Sequence, residues 1–460
     1  MFFNLKRKDL YVLRSIFRLI QMNFNDAFMA RTRDGSGNAR KYLQGLLLNR
    51  DRGNCSRFAK KVRKSTNQSL QHFITHSPWN ERVVIDRIQK KVSKLIGDSV
   101  EGSLHIDETG FPKQGTHSVG VQRQYCGRLG KVENCQVGVV LGYSHKTQRI
   151  LIDGQLYLPE EWSKSKELRN ECEVPKEVRF RTKAQIGLDM ILNARKNGVP
   201  FGWIGMDCFY GEQPWLREEL DAESLIFVAD IPRDTRVWLS SPKTGIPERS
   251  GKRGRQPLRE RVLDGEPAPI EVQTIKEQVD PAQWRQVPVR DTERKELKID
   301  IVCLRVYPVE NRLPGKEQWL IIRKEVGRDI VKYQLSNAAP DTDVLRLAKM
   351  SCSRYWIERA IEDAKGVGSL EDYEARFWRS WHHHVAMSLL AMLAVLMMQL
   401  ELKTKADMLT LQDVKDILEV IMPQREISER EILKLIKAKH KARFSASESY
   451  HRRQTAISAG

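Results

Sequence analysis

The periodicity of the apolar residues changes along this chain, and these changes constrain the fold more than any other feature. In the first hundred residues the apolar side chains recur at helical spacing, most clearly in Glu81–Ile96. Between residues 103 and 231, short apolar runs of strand length alternate with one longer helical stretch. The pattern predicts a helical, basic N-terminal domain over residues 1–100, followed by a mixed α/β region.

The predicted elements of the α/β region follow a definite order. A first short strand ends at Asp107, and the apolar runs 137–143 and 150–158 are joined by a polar segment typical of a hairpin. A helix over 182–197, a strand that ends at Asp207, a short helix and a strand over 225–231 follow. Three strands, a helix, a strand, a helix and a strand is the order of an RNase H-like core, which is therefore the predicted fold.

The rest of the chain divides into three further regions. Residues 232–345 form an irregular β-rich insertion, with candidate strands at 270–275, 297–309, 319–323 and 331–335. Residues 346–400 are expected to complete the core; their apolar run 385–400 is short for a membrane span and typical of a buried helix. Residues 401–460 predict a helical, basic C-terminal region, so the expected class is α/β with helical regions at both ends.

The charge balance indicates the kind of partner. Lys and Arg number 78 against 59 Asp and Glu, a formal net charge of +19, which favours a polyanion such as DNA. A solvated basic face in the N-terminal region remains an alternative to a DNA-binding one. The seven cysteines contain no C-x-x-C pair and indicate reduced thiols; without a secretion signal or membrane anchor, a cytoplasmic location is predicted.

Three acidic residues stand where a metal-dependent nuclease would need them. Asp107 and Asp207 each follow an apolar run, so both carboxylates are expected at strand ends, and Glu358 lies on a predicted helix. Carboxylate oxygens are the ligands that Mg²⁺ and Mn²⁺ prefer, and a pair of such ions can promote attack on a phosphodiester. The sequence therefore predicts a two-metal site formed by these three side chains.

The helix that carries Glu358 has a favourable geometry. At about 100° per residue, Ile357 and Ile361 form part of a buried stripe, and Glu358 falls on the border of that stripe. Arg354 and Lys365 fall on the same side of the helix as Glu358, where they could contact DNA phosphate. An ordinary i,i+4 surface pair between Arg354 and Glu358 is the alternative.

Other acidic residues could contribute to the same site. Glu362 is a rival for the metal role, although it lies further toward solvent than Glu358. Asp230 follows an apolar run and could join the cluster, but a loop-capping role is the more ordinary expectation. Glu108 would face away from Asp107 if the strand continues.

Several cations outside this helix are candidate DNA contacts. Lys113 and Lys131 are close in sequence to the first aspartate, although solvated lysines are common. Residues 251–257 are too polar to bury a core, and form either a DNA-tracking or a disordered basic loop. The cations of this loop are Lys252, Arg253 and Arg255.

His382, His383 and His384 form the sequence's one run of histidines. Neighbouring residues on a helix do not share a face, so these three rings point in different directions. A polar helix entrance or a phosphate contact is expected rather than a metal site.

The helical motif Arg354-x3-Glu358-x6-Lys365 resembles the R-x3-E-x6-K part of the Y-x2-R-x3-E-x6-K signature of DDE transposases in the insertion-sequence 4 superfamily. More specifically, the chain resembles the insertion-sequence 701 family. Ser351 occupies the position of the signature Tyr, which leaves the DNA-end contact of that Tyr without its usual residue. The segments that carry the second resemblance are 106–115, 120–127, 130–136, 234–238 and 250–255.

The resemblance implies that Asp107, Asp207 and Glu358 are a catalytic triad and that Arg354 and Lys365 contact phosphate. It implies a bacterial, nucleoid-associated enzyme that binds double-stranded DNA at terminal inverted repeats, cuts it, and joins it to target DNA. A homodimer on DNA is expected because two ends must be held together, with two Mg²⁺ or Mn²⁺ ions at each site. A non-cutting repressor or architectural protein of the same fold is the alternative, and a plain hydrolytic nuclease is a weaker one.

Overall fold

The computed structural model describes residues 4–30, 33–49, 52–247, 258–291, 296–327, 330–372 and 374–426, with scattered positions between 433 and 452. These residues form a mixed α/β protein in which helices cover one large mixed sheet. The N-terminal helices and the central strands share one continuous apolar core.

The N-terminal region is helical, as its apolar spacing predicts. The helix predicted over Glu81–Ile96 is confirmed: Asn80 caps it by accepting a hydrogen bond from the Arg82 backbone, and Val84, Ile88 and Val92 line its buried face. The elements of this region are α1 Arg7–Phe24, β1 Met29–Ala30, β2 Arg33–Asp34, α2 Ser36–Leu47, α3 Cys55–Lys61, α4 Asn67–Thr75 and α5 Glu81–Ile96.

The central elements follow the predicted order. They are β3 Ser103–Pro112, β4 Gln122–Cys126, β5 Lys131–His145, β6 Gln148–Leu156, α6 Glu160–Lys164, α7 Lys166–Glu171, α8 Lys183–Lys196, β7 Trp203–Met206, α9 Cys208–Gly211, α10 Pro214–Ala222 and β8 Phe227–Ile231. The strand β4 and the helices α6 and α7 were not predicted. In space the order is β6-β5-β3-β7-β8; β5 is antiparallel to β6 and β3, and β7 is parallel to β3 and β8. The predicted hairpin between β5 and β6 is confirmed, with Lys146 at positive φ in its turn.

Two of the central strands are longer than predicted: β5 was expected over 137–143 but spans Lys131–His145, and β3 is the second. The first strand was expected to end at Asp107, but β3 continues to Pro112. Residues 108–112 pair with β5, because their backbone groups find partners along that long strand. Asp107 therefore lies inside a strand, and Glu108 points to the opposite face.

The region after β8 continues the same sheet. Its elements are β9 Arg236–Trp238, β10 Thr244–Gly245, β11 Arg261–Val262, β12 Ile270–Glu271, α11 Val272–Gln278, β13 Arg285–Asp291, β14 Glu296–Glu310, β15 Leu313–Pro314, β16 Gln318–Glu325 and β17 Val331–Ser336. Strand β17 pairs with β8, so the β-rich region is joined edge to edge to the central strands.

The strand predicted at 270–275 is wrong. Only Ile270 and Glu271 pair, with β9, and the chain then enters α11, which buries Val272 and Ile275. These two residues are three apart, a spacing that places them on one face of a helix. A short apolar run is compatible with a strand as well as a helix, and here the chain forms a helix.

The last described region is helical: α12 Val344–Cys352, α13 Tyr355–Gly366, α14 Trp378–Lys403 and α15 Leu411–Ile421. The buried stripe predicted on α13 is confirmed, with Ile357 and Ile361 in the core. Helix α14 is long and apolar enough to cross a membrane, but 83% of its most apolar window is buried inside the protein, as predicted for a core helix. It packs against α1, α2, α4, α5 and β6.

Candidate active site

Asp107 and Asp207 lie side by side because of the parallel pairing of β3 with β7. The register aligns His105 with Gly205, and each aspartate is two residues further along its own strand direction. Asp207 follows β7 directly and caps α9, where its Oδ1 accepts a hydrogen bond from the Tyr210 backbone at 3.2 Å. The two carboxylates are thus delivered to one level of the sheet by the fold itself.

Burial shifts the acidity of both carboxyl groups. Asp107 is only 17% exposed. Burial raises the pKa of Asp107 to about 7; Arg354 opposes this rise, and the neighbouring charge of Asp207 adds to it. The pKa of Asp207 is also raised, again mainly by burial. The pair therefore holds negative charge that its surroundings compensate only in part.

The guanidinium of Arg354, at the start of α13, lies at the centre of the acidic residues. Its Nη1 is 3.5 Å from Oδ2 of Asp107, and its Nη2 is 3.1 Å from Oε1 of Glu358. Its Nε is 3.7 Å from Oδ2 of Asp230. The structure therefore brings carboxylates from three distant chain segments around one cation.

Glu358 stands at the rim of this cluster. Its side chain is 54% exposed, and its ion pair with Arg354 is the i,i+4 pair that the sequence left open. Glu362, the rival on the same helix, pairs instead with Arg359 at 2.5 Å. Glu358, rather than Glu362, thus shares Arg354 with Asp107.

Asp230 joins the cluster, which corrects the expectation of a loop-capping role. It lies inside β8 and is buried, and its Oδ1 accepts a hydrogen bond from Nε2 of Gln334 at 2.5 Å. The sequence signal for a position in the acidic cluster is an acidic residue at the end of a strand that is apolar on both faces. Pro232, two residues later, indicates a turn, so the sequence alone is equally compatible with a loop-capping role.

Two further groups near the cluster were not found from the sequence. Lys183, at the first position of α8, forms an ion pair with Glu108 at 2.6 Å. The hydroxyl of Tyr210 is buried without a hydrogen-bond partner among the described residues, and its charged neighbours are Glu108, Asp107 and Asp207. Neither Lys183 nor Tyr210 stands at the spacing of a recognised motif, so only the folded structure shows that they lie near the acidic residues.

The predicted DNA-contacting cations are spread over the molecule. Lys365 is two turns beyond Glu358 on α13, about 10 Å along the axis, and its charged neighbours include Glu371 and Arg128. Lys113 follows the end of β3, roughly 20 Å along the chain from Asp107, where burial lowers its pKa to about 8. Lys131 is exposed and pairs with Glu133 at 3.2 Å. Lys252, Arg253 and Arg255 lie outside the described residues.

The donor set can be compared with the needs of a divalent cation. Asp107 and Asp207 offer adjacent hard oxygen donors with incompletely compensated charge, which fits Mg²⁺ or Mn²⁺. Across the part of the chain that the structure describes, however, no group of three acidic, histidine or cysteine side chains is already arranged to hold a metal. Glu358 would have to turn from Arg354 to complete such a group.

The three histidines of α14 are buried and separately bound. Nδ1 of His382 lies 2.9 Å from the Trp378 carbonyl, and His383 lies 3.0 Å from two other carbonyl oxygens. His384 lies between the Tyr42 hydroxyl, at 2.8 Å, and the Ser369 carbonyl. The prediction against a metal cluster agrees with this geometry, whereas a phosphate contact is wrong because the rings are enclosed in the core.

Ser351 is buried at 1% exposure, and its hydroxyl has no hydrogen-bond partner among the described residues. Its carbonyl accepts hydrogen bonds from Arg323 and Gln334. The position of the signature Tyr is therefore enclosed in this chain.

Comparison with known protein families shows to which family this chain belongs. Residues 23–296, well over half of the chain, match the family described as DDE superfamily endonuclease. This chain belongs to that family. The matched segment includes Asp107 and Asp207 but ends before Glu358.

A probable transposase for insertion sequence element IS701 from Microchaete diplosiphon is 30% identical to the chain over 176 residues. That alignment covers 37% of this chain and 42% of the relative, so it spans less than half the length of the relative. Both comparisons agree with the resemblance that the sequence motifs indicate.

Proposed function

We propose that this DDE endonuclease is a transposase of the insertion-sequence 701 type, which cuts DNA at the ends of its element and joins those ends to target DNA. The observation that carries the proposal is that Asp107 and Glu358 share the Arg354 guanidinium, while the parallel pairing of β3 with β7 brings Asp207 to the level of Asp107. Membership of the endonuclease family and the similarity to a probable transposase support it.

In the proposed mechanism, Asp107, Asp207 and Glu358 would hold two Mg²⁺ or Mn²⁺ ions. Bound ions supply Lewis acidity, which activates first water and then a 3′-hydroxyl for attack on phosphorus and stabilises the leaving oxygen. The capping bond to the Tyr210 backbone fixes the orientation of the Asp207 carboxylate. A turn of the Glu358 side chain from Arg354 toward the two aspartates would release the guanidinium for the substrate.

Arg354 is suited to bind the scissile phosphate. Its Nη1 is buried and forms no hydrogen bond with the described residues, so this donor is available to a ligand oxygen, while its Nε faces Asp230. Lys365, further along α13, would contact phosphate outside the reacting centre.

The proposed partner is double-stranded DNA, both the terminal inverted repeats and the target. The +19 net charge supports this, and a homodimer would hold the two ends together. Residues 1–100, the C-terminal region 401–460, Lys113, Lys131, Lys252, Arg253 and Arg255 are the proposed DNA contacts. A bacterial cytoplasmic, nucleoid-associated location follows from this substrate.

The architecture fits the proposal. The order β6-β5-β3-β7-β8, with β5 antiparallel to its neighbours, is that expected of an RNase H-like core. We assign that core to residues 101–231 and 346–400, and the insertion between them to 232–345.

The test is a cleavage and strand-transfer assay with the full-length protein, Mg²⁺ and DNA that carries the ends of its own element. Wild type is expected to give both cut and joined products. Asp107→Asn, Asp207→Asn and Glu358→Gln should each reduce cleavage by at least about 10³-fold, since each removes an oxygen ligand of the reacting centre.

Glu362→Gln is the matched control, because Glu362 lies one turn along the same helix and pairs with Arg359. Its cleavage should remain within about twofold of wild type. Salt-sensitive DNA binding by a wild type that never cuts would favour a repressor instead, and nicks without joined products would favour a hydrolytic nuclease. A triad variant that cuts like wild type would exclude that residue from the site.

A further inference from the structure

Asp230 is a fourth carboxylate at the candidate active site. It lies on β8, whose neighbour β7 delivers Asp207, and it is 8% exposed. Its Oδ2 faces Nε of Arg354 at 3.7 Å, whereas Glu358 faces Nη2. A single arginine is thus shared between the proposed metal ligands and an acid outside that set.

The other oxygen of Asp230 is held by the β-rich region. Nε2 of Gln334, on β17, donates to Oδ1 of Asp230 at 2.5 Å and also lies 3.1 Å from the Ser351 carbonyl. Nη2 of Arg323 donates to that carbonyl as well, at 3.1 Å. A hydrogen-bonded network that reaches the residues just before α13 therefore holds Asp230 in place.

What distinguishes Asp230 is that the β-rich region holds it: its Oδ1 accepts from Gln334 while its Oδ2 faces Arg354. Asp107 and Glu358 are the proposed metal ligands, and each must turn from Arg354 to take part in metal binding. When they do so, the guanidinium loses two of its three carboxylate partners. A buried arginine without a partner is costly and would leave its position, so one anion has to remain beside it.

We propose that Asp230 is that anion, a positioning residue that, with Gln334, keeps Arg354 aimed at the scissile phosphate while Asp107 and Glu358 bind divalent cations. This inference rests on the proposed function. It also gives β17 a role, since the strand that pairs with β8 supplies the side chain that fixes Asp230.

The test is the single-turnover rate of cleavage by Asp230→Asn, measured on the same DNA ends. Asn keeps an oxygen that can accept from Gln334, so folding should be preserved, and thermal melting checks this. The rate is expected to fall about 10- to 100-fold, the loss typical of a misplaced catalytic group. The Kd for DNA and the Mg²⁺ concentration for half-maximal rate should change by less than about threefold.

A double-mutant cycle with Arg354→Ala separates positioning from a general structural effect. If Asp230 acts through Arg354, then Asp230→Asn should have less than about a twofold effect once Arg354 is absent. Asp221→Asn is the matched control: it removes a comparable carboxylate, paired with Lys316 at 2.5 Å, away from the cluster. Its cleavage rate should stay near that of wild type, and Asp230→Glu should recover part of the loss.

Three outcomes would overturn the inference: a wild-type rate for Asp230→Asn, an equal loss in both Arg354 backgrounds, or full recovery at high Mg²⁺, which would make Asp230 a metal ligand. Each of them leaves the proposed function intact, because wild type cleaves in the same assay. Absence of cleavage by wild type would instead remove the proposed function, and the inference with it.

Discussion

Two of the groups of buried titratable side chains in the described part of this protein differ in how far their charges and hydrogen bonds are satisfied. The acidic residues around Arg354 come from separate strands and a helix, and burial raises the pKa of both Asp107 and Asp207. The three histidines of α14 are consecutive, and burial lowers the pKa of each ring. The acids hold charge in excess of their partners, whereas the histidines are neutral and bound to surrounding carbonyl and hydroxyl groups.

The degree to which buried charges are compensated therefore distinguishes a functional site from a structural one better than residue type does. Histidine is the commoner catalytic and metal-binding side chain, yet here the rings join α14 to the N-terminal helices. Incompletely compensated charge, rather than burial alone, marks the site where a cation or a phosphate would bind.

The largest expected effect concerns acid stability. The pKa values of His383 and His384 are about 4 in the folded protein, below the usual 6.5, so protons bind the unfolded chain first. The free energy of unfolding is therefore highest above pH 6.5 and should fall by up to about 3 kcal/mol per histidine as the pH approaches 4. Urea unfolding at a series of pH values measures this loss.

The variant His384→Gln sharpens that test. Gln can still accept from the Tyr42 hydroxyl and donate to the Ser369 carbonyl, but it does not titrate. The acid loss should shrink by about 3 kcal/mol, the share of one histidine, while the part due to the other buried histidines, including His105, remains; cleavage should stay within about twofold of wild type. An unchanged pH dependence would show that the histidines are not the cause.

A smaller and opposite effect is expected at Asp107. Its folded pKa of about 7 lies above the usual 3.8, so its ionisation reduces stability as the pH rises from about 4 to 7, and fully above pH 7. Asp107→Asn should therefore raise the free energy of unfolding of the metal-free protein at pH 8 by about 2 kcal/mol, the loss of one Arg354 partner limiting the gain. Calorimetry at pH 8 and pH 4.5 should show the gain only at the higher pH.

The result that would contradict this is a less stable Asn variant at pH 8. Mg²⁺ gives an independent check: it should raise the Tm of wild type more than that of Asp107→Asn, because binding stabilises only the form that retains the ligand.

The smallest effect is expected for a surface charge outside both groups. Lys164 is exposed and pairs with Glu160 one turn earlier on the short helix α6, so Lys164→Ala should change the free energy of unfolding by less than about 0.5 kcal/mol. Its cleavage rate should also stay within about twofold. A large loss of DNA affinity would instead show that this lysine contacts the substrate.

The sequence predicted much of this arrangement, because local patterns encode it. Asp107 and Asp207 follow apolar runs of strand length, and parallel pairing brings such residues to one level. The spacing of Arg354 and Glu358 places them together on any helix.

The missing parts depend on contacts between distant segments. Asp230 and Arg354 are more than 120 residues apart, and no periodicity indicates that a guanidinium would lie among four carboxylates. The orientation of Gln334 toward Asp230 depends on the register of β17 with β8, which only the folded sheet fixes. Within 270–275 the short apolar run was simply compatible with two periods.

The enclosure of α14 has a practical consequence for dissecting the molecule. This helix belongs to the last quarter of the chain, yet α1, α2, α4 and α5 cover much of its surface. Cutting the polypeptide after residue 100 would expose the apolar surface of α14, about seven turns long, on the C-terminal fragment. The N-terminal fragment would lose the helix against which its core packs. Both fragments are expected to aggregate when expressed separately, and to recover solubility when co-expressed.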